Sequence, residues 1–392
     1  MTEDPLFAPL DLPCGAVLRN RLAKAAMSDA LGDGEGRPTP EQARLYGRWA
    51  EGGLALQIIG EVQVDPLFPE APGNLVLCPG ADTRGFADLA RAGTAGGAAL
   101  WPQLGHAGAL ARAGLGRAAG PSALDYDELS CDALTVEEIE ALPGVFAASA
   151  VMARDLGFPG IELHAAHGFL FSQFLSPLFN RRTDRYGGPI ARRMQILLRT
   201  LSAIRAATGP DFAIGVKLNA TDQLQGGLTG AEALQVIGAL DDLPIDLIDI
   251  SGGTYFPGAA AASDAGGSGA YFEDFARAAR SRTDIPLMLT GGIKTQAEAR
   301  RLVTSGAADV VGLARAFVVD PDLPHSWRSG HDPVLPRFPT RPPGGVTAWY
   351  TETLAAIAGG RPAPPPDADA ALAALEARDA ARTPLWRRRF PT

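Results

Sequence analysis

Short apolar runs alternate with longer amphipathic stretches along most of the chain. The apolar runs lie at residues 22–26, 54–60, 98–104, 160–164, 213–219, 247–251, 287–290 and 310–313. Segments whose apolar positions recur at helical spacing lie at residues 39–51, 82–96, 135–157, 188–207, 230–240, 272–281 and 295–306, and another follows residue 320. The short runs predict buried strands, and the longer segments predict amphipathic helices.

An alternation of eight strands with eight helices indicates a parallel sheet, because parallel neighbours need a crossover connection. Eight such units predict an α/β fold of the (β/α)8 TIM-barrel type. The alternative, a doubly wound open sheet, needs fewer strands. We expect one barrel domain over residues 1–335, with residues 5–20 forming a hairpin that caps the barrel. Residues 336–392 are expected to form a C-terminal extension that packs on the barrel or at a subunit interface.

Composition and charge narrow the classes of partner. The formal net charge is −9, which argues against a nucleic-acid partner bound by the whole surface. The chain has no run of 18 apolar residues and no secretory signal pattern, so no membrane association is expected. The three cysteines are scattered and match no metal-binding spacing. We therefore expect a soluble cytoplasmic protein with no bound metal.

Polar residues cluster at the predicted carboxyl ends of strands, where barrel enzymes carry their chemistry. Three of the five histidines lie there: His106 follows strand three, His164 ends strand four and His167 comes three residues later. One of the three lysines, Lys217, lies on strand five. The carboxyl ends of the strands, with these polar residues, are therefore the expected active site.

The ends of strands seven and eight carry the pattern of a phosphate site. Gly291 and Gly292 allow backbone amides to approach an oxyanion, and the Arg315 guanidinium can grip phosphate oxygens. A mononucleotide-sized or sugar-phosphate ligand is expected there. A Gly-Gly turn beside a surface arginine would give the same pattern, and the residues alone leave both interpretations open.

Several motifs together resemble the old yellow enzyme family of FMN-dependent ene-reductases. They include "LRNRLAKAAMSD" (18–29), "WPQLGHAG" (101–108), "GIELHAAHGFLFSQFLSPLFNRRTDRYGG" (160–188), "GVKLNATD" (215–222) and "LTGGIKTQAEARRLVTSGAADVVGLARAF" (289–317). The resemblance runs in unbroken order from about residue 5 to residue 325. It implies FMN as cofactor and NADH or NADPH as co-substrate.

The resemblance also implies a role for each matching residue. Residues matching flavin-ring contacts are Ser28 at the carbonyl edge, Val62 through its backbone, Gln103 at the pyrimidine end and Lys217 beside N1 and O2. Residues matching phosphate contacts are Gly291, Gly292, Ala314 and Arg315. For Lys217, an ion pair with a neighbouring carboxylate is the alternative.

His164 and His167 match the family's pair that polarises the acceptor oxygen. Donors placed at that oxygen stabilise the negative charge that develops there. Metal ligation with Glu162 or His106, and a merely structural role, are the competing interpretations. Phe169 departs from the family, because the usual residue is a tyrosine that protonates the substrate, and phenylalanine has no hydroxyl. Tyr255 is the first substitute donor, and Tyr350 or water are the others.

We expect hydride transfer from NADH or NADPH through FMN to an activated alkene, a small electron-poor molecule. Because of Phe169, quinone or nitro acceptors or an oxidative direction stay open. A non-redox phosphate-binding barrel enzyme and a flavin-binding protein without turnover are the other classes. Residues 30–38, 107–134 and 255–271 are expected to select the substrate, and a homo-oligomer is expected from the resemblance.

Overall fold

Eight parallel strands close into a barrel in the computed structural model, which describes residues 4–259, 269–361 and 367–391. The strands are β1 (Leu22–Met27), β2 (Leu56–Gln63), β3 (Ala99–Gly105), β4 (Gly160–Ala165), β5 (Ala213–Asn219), β6 (Leu247–Ser251), β7 (Leu287–Thr290) and β8 (Val310–Leu313). Each strand pairs with the next, and β8 pairs with β1, so the sheet closes on itself. The predicted TIM-barrel fold is confirmed.

The strands read as continuous apolar runs because both of their faces are covered. Every residue of β4, β5 and β6 is buried, by barrel side chains on one face and by helices on the other. Each predicted strand overlaps one of the eight observed strands.

Thirteen helices are described outside the barrel sheet. They are α1 (Pro40–Glu51), α2 (Phe86–Gly93), α3 (Val136–Asp155), α4 (Leu170–Leu175), α5 (Ile190–Arg193), α6 (Gln195–Thr208), α7 (Gly230–Leu240), α8 (Glu273–Arg280), α9 (Gln296–Thr304), α10 (Arg315–Val319), α11 (Leu323–Arg328), α12 (Gly345–Ala358) and α13 (Ala368–Arg389). Threonine caps begin four of them: the side chains of Thr39, Thr135, Thr229 and Thr295 each accept a backbone N–H of the first turn.

The predicted amino-terminal hairpin is present. Leu10–Asp11 pairs antiparallel with Val17–Leu18, and the hairpin packs on residues at the starts of the strands, including Leu56 and Met288. The backbone N–H of Cys14 in its turn donates to Asp246 at 2.7 Å. The hairpin therefore covers the end of the barrel opposite the expected active site. Further short strands lie at Leu75–Val76, Ala119–Gly120, Leu124–Tyr126 and Leu129–Ala133.

The C-terminal extension lies against the barrel. Helix α12 packs on α1 and α10. Helix α13 crosses the loops that follow β1 and β3: Arg382 donates to the carbonyl of Ala30 at 2.6 Å, and Asp379 forms an ion pair with Arg112. The extension thus holds loops on the carboxyl side of the barrel. Within the described ranges, no helix has both the length and the hydrophobicity that a bilayer crossing needs.

Candidate active site

A cavity of about 260 Å³ opens at the carboxyl ends of the strands. Its wall includes six residues expected in the site, namely His167, Tyr255, Gly291, Gly292, Ala314 and Arg315. Helix α12 completes the wall with Val346, Thr347 and Tyr350. The cavity therefore joins the ends of β1, β6, β7 and β8 to the C-terminal extension.

The glycine turn after β7 is built so that only glycine fits. Gly291 and Gly292 have φ values of 121° and 81°. A Cβ on Gly292 would lie 2.0 Å from the carbonyl oxygen of Gly269 and 2.7 Å from the ring of Tyr271. The backbone can thus approach a ligand closely at this wall of the cavity.

Arg315 supplies positive charge beside this turn. It is the first residue of α10, and its guanidinium carbon lies 5.9 Å from the centroid of the Tyr350 ring. Within the part of the chain that the structure describes, Arg315 forms no ion pair. A cation that no carboxylate neutralises, next to the glycine turn and the backbone of Ala314, suits a phosphate.

Behind this wall, buried polar side chains of consecutive strands, from β3 to β7, contact one another in the barrel interior. Gln103 on β3 donates to Glu162 on β4 at 2.6 Å. Lys217 on β5 lies 3.9 Å from Glu162 and forms an ion pair with Asp249 on β6, which also accepts from Thr290 at 2.6 Å. The ion pair expected as the alternative role of Lys217 is therefore present.

Burial shifts the pKa values of Lys217 and Glu162 in opposite directions. Desolvation lowers the pKa of Lys217, and the nearby carboxylate of Glu162 opposes that shift. Desolvation raises the pKa of Glu162, and Lys217 opposes it in turn. One oxygen of Glu162 has no hydrogen-bond partner among the described residues. These contacts form one buried polar surface from Gln103, Glu162 and Lys217, and this surface fits the polar edge of a flavin ring.

His164 and His167 meet at the end of β4. Their ring centroids are 5.3 Å apart with the planes nearly perpendicular. Burial, followed by the positive charge of Lys217, lowers the pKa of His167 to about 3. The pKa of His164 is also lowered well below its usual value, by burial and then by His167 and Lys217. Both imidazoles are therefore neutral at pH 7, and each carries one N–H donor.

Hydrogen bonds orient the two rings. Nδ1 of His164 accepts the backbone N–H of Ala166 at 3.4 Å, which assigns the proton to Nε2. Nε2 of His167 lies 2.8 Å from the hydroxyl oxygen of Ser251. The loop of His167, at φ 60°, is held by Asn219, whose side chain accepts the backbone N–H of His167 at 3.0 Å. Strands β5 and β6 thus fix the second histidine.

Phe169 lies against the histidine pair, and Tyr255 stands at the cavity mouth. The Phe169 ring is buried, 4.7 Å from the His164 ring and 6.0 Å from the Tyr255 ring. The Tyr255 side chain is 62 % exposed. A tyrosine phenol ordinarily titrates at about pH 10, so Tyr255 carries its proton at neutral pH.

The four residues expected at the flavin ring, and His164, lie behind or beside the cavity wall rather than in it: Ser28, Val62, Gln103 and Lys217. Ser28 directly follows Met27, a residue of the wall, and is half-buried. Val62 is fully buried on β2, where it pairs with Leu75 and Leu104. Of the expected substrate-selecting segment 255–271, residues 260–268 lie outside the described residues.

The structure adds to the site Glu61, a residue of β2. Oε1 of Glu61 lies 3.6 Å from Nε2 of His164. A carboxylate that interrupts an apolar strand was the available signal in the sequence. Among the described residues, no cluster of three or more histidine, cysteine, aspartate or glutamate side chains has the arrangement of a metal site.

The fold defines the class of protein, a (β/α)8 barrel with a cavity at the carboxyl ends of its strands. Residues 5–332 match the NADH:flavin oxidoreductase / NADH oxidase family, and the chain belongs to that family. The protein is therefore an FMN-dependent enzyme that oxidises NADH or NADPH. The resemblance to the old yellow enzymes is thereby confirmed, and a non-redox phosphate-binding enzyme is set aside.

Similar proteins agree with this assignment. The NADH-dependent flavin oxidoreductase iliE of Hypocrea jecorina is 32% identical over 369 residues, which cover 85% of this chain and 91% of that protein. NADPH dehydrogenase of Bacillus licheniformis is 30% identical over 328 residues, 83% of this chain and 94% of that protein. The structure of morphinone reductase in complex with tetrahydroNAD superposes with a TM-score of 0.73 at 26% identity, covering 85% and 92% of the two chains. Other curated relatives are longer, and the chain spans 46% and 49% of two of them.

Proposed function

We propose that the protein transfers hydride from NADH or NADPH, through bound FMN, to the β-carbon of an electron-poor alkene conjugated to an oxygen-bearing group. The observation that carries this proposal is the pair of buried, neutral histidines beside the cavity. Their N–H groups, aimed at one carbonyl or nitro oxygen, stabilise the negative charge that hydride addition places there.

The residues around the cavity suit FMN. When bound, FMN supplies two-electron hydride chemistry between a nicotinamide and the acceptor. Gly291, Gly292, Ala314 and Arg315 would hold its phosphate. Gln103 and Lys217 would hold the pyrimidine edge, where the lysine cation, shared with Asp249, favours negative charge. Ser28 and the backbone of Val62 are the proposed contacts at the remaining ring edge.

Anaerobic half-reactions test the proposal. The yellow protein is reduced with NADH or with NADPH, and the bleached enzyme is then mixed with cyclohexenone, maleimide, menadione and a nitroaromatic. We expect bleaching by at least one nicotinamide and reoxidation by the two alkenes. Protein that binds no FMN, or reduced protein that no alkene reoxidises, would refute the proposal.

A second candidate function is the reduction of quinone or nitro acceptors, and Phe169 favours it. These acceptors need no protonation at carbon, and a phenylalanine cannot provide one. Tyr255, Tyr350 and water are the alternative proton sources for an alkene. The comparison of wild type with Phe169→Tyr distinguishes the two functions. A wild type active only on menadione, and active on cyclohexenone only after Phe169→Tyr, would establish the second function.

We also propose that the enzyme works as a homo-oligomer on a small molecule. The support for assembly is the resemblance to the old yellow enzyme family. Light scattering at several protein concentrations measures the assembly, and a monomer at all of them would refute it.

A further inference from the structure

The carboxyl group of Glu61 is aimed into the active site by a local irregularity of β2. The register of β2 against β3 shifts between Ile59 and Val62, so Gly60 and Glu61 form a bulge. Glu61 has φ 64°, a conformation that residues other than glycine rarely adopt. Bulges of this kind redirect a side chain, and strained backbone concentrates at functional sites.

The bulge carries the Glu61 side chain across β3 to β4. It passes beside Gly105, where a Cβ would lie 3.4 Å from Oε2 of Glu61. Oε1 then reaches to 3.6 Å from Nε2 of His164, the nitrogen that carries the ring proton. The carboxyl therefore lies beside the His164 ring, and that ring lies 4.7 Å from the ring of Phe169, which offers no proton.

The surroundings of Glu61 keep its proton in place. The side chain is 6 % exposed, and its one hydrogen bond among the described residues comes from the Gln63 amide at 3.2 Å. Burial, and then the neighbouring carboxyl of Glu70, raise the pKa of Glu61 well above its usual value. A neutral carboxyl is both an acid and a weak competitor for the His164 N–H, which stays available to the substrate.

We propose that Glu61 is the general acid of alkene reduction and takes the place of the tyrosine that Phe169 replaces. This inference rests on the proposed function. Hydride adds to the β-carbon, and the C=C π pair moves to the α-carbon, where it forms a new C–H bond with the Glu61 carboxyl proton. The O–H bond of the carboxyl breaks and its electron pair stays on the carboxylate. The alkene thus gains one hydride and one proton, and solvent returns one proton to the carboxylate.

Stopped-flow reoxidation of the reduced holoenzyme tests this inference with two acceptors. We expect Glu61→Gln to slow reoxidation by cyclohexenone about 10²–10⁴-fold, the usual contribution of a general acid. Reoxidation by menadione, which needs no proton at carbon, is the internal control and keeps its rate. Adding Phe169→Tyr to Glu61→Gln restores reaction with cyclohexenone, because the tyrosine supplies the missing proton.

The pH profile and infrared spectra give readouts that a structural role would not change. In wild type, the cyclohexenone rate falls as pH rises through the pKa of Glu61, and this dependence disappears in Glu61→Gln. The infrared band of a protonated buried carboxyl, measured without turnover, persists in wild type above the pH at which an exposed glutamate ionises, and it loses intensity in Glu61→Gln. If the variant does not fold, the wild-type pH profile still tests the inference: a cyclohexenone rate that does not fall as pH rises would refute it.

Several results would overturn the inference. Glu61→Gln that keeps the wild-type cyclohexenone rate, or that slows both acceptors equally, would show that Glu61 donates no proton. Loss of cyclohexenone turnover in Tyr255→Phe but not in Glu61→Gln would assign the proton to Tyr255. A wild type that no alkene reoxidises refutes the proposed function itself, whereas the other outcomes concern Glu61 alone.

Discussion

Alanine at position 292 should weaken FMN binding, because Gly292 lies in the proposed phosphate turn and an alanine there meets two costs. The first is conformational: a φ of 81° costs an L-residue about 1–2 kcal/mol. The second is steric, because the new Cβ would lie 2.0 Å from the carbonyl oxygen of Gly269, far inside any real contact. The turn must then move. Loss of one backbone hydrogen bond to a charged phosphate costs about 1.5–3 kcal/mol, which is roughly a 10–150-fold weaker Kd for FMN.

Gly306→Ala is the matched control. Gly306 has φ 69°, and a Cβ there would meet no heavy atom within 4 Å. It therefore imposes the same conformational cost without the clash, at a site outside the cavity wall. FMN affinity is measured by quenching of flavin fluorescence, and unfolding free energy by urea titration. We expect both variants to lose stability and only Gly292→Ala to lose FMN affinity. Equal affinities of the two variants would refute the assignment of this turn to phosphate.

Three further predictions follow from the same geometry. Arg315→Ala should raise the Kd for FMN about 10–150-fold, by loss of a charged hydrogen bond, and unchanged binding in fluorescence titration would contradict this. His167→Ala should slow reoxidation by cyclohexenone about 10²–10³-fold while FMN stays bound; a rate in stopped flow equal to wild type would exclude a polarising role. Burial lowers the pKa of His106 to about 3, below its ordinary 6.5. Between these two pH values, the unfolded chain therefore binds a proton that the folded chain does not. Stability is then complete above pH 6.5 and falls toward pH 3 by up to about 1.4 kcal/mol per pH unit. His106→Gln should remove this contribution in urea titrations at pH 7 and pH 5, and an unaltered pH dependence would show that His106 does not titrate on unfolding.

The most specific motif of the sequence has a structural use. In the stretch after the histidine pair, the Asn180 amide donates to the carbonyls of Phe174 and Tyr186, both at 2.8 Å. Arg182 donates to the carbonyls of Pro121 and Leu134. These bonds satisfy buried backbone groups and fix the loop. This part of the motif indicates the family, but its role in the structure is to fix the loop. The polarising groups of the proposed reaction are the two histidines that precede it.

Local patterns were sufficient for the barrel and for part of the site. Strands that are buried on both faces appear in the sequence as apolar runs. Eight such runs with capped helices between them predict a parallel barrel. His164 lies near the end of β4 and His167 follows two residues after that end, and Gly291 and Gly292 are adjacent, so the proximity within each pair required no tertiary information.

Tertiary structure decided which distant groups meet. The ion pair of Lys217 with Asp249 depends on the parallel register of β5 and β6, which sets them side by side. The contact of Glu61 with His164 depends on a bulge in β2, and a bulge of one residue changes which face a side chain takes. Periodicity and short motifs are local, so they were enough to predict the fold and the class of chemistry. The charge state of each buried group was decided by desolvation and by neighbours from other strands, which exist only in the closed barrel.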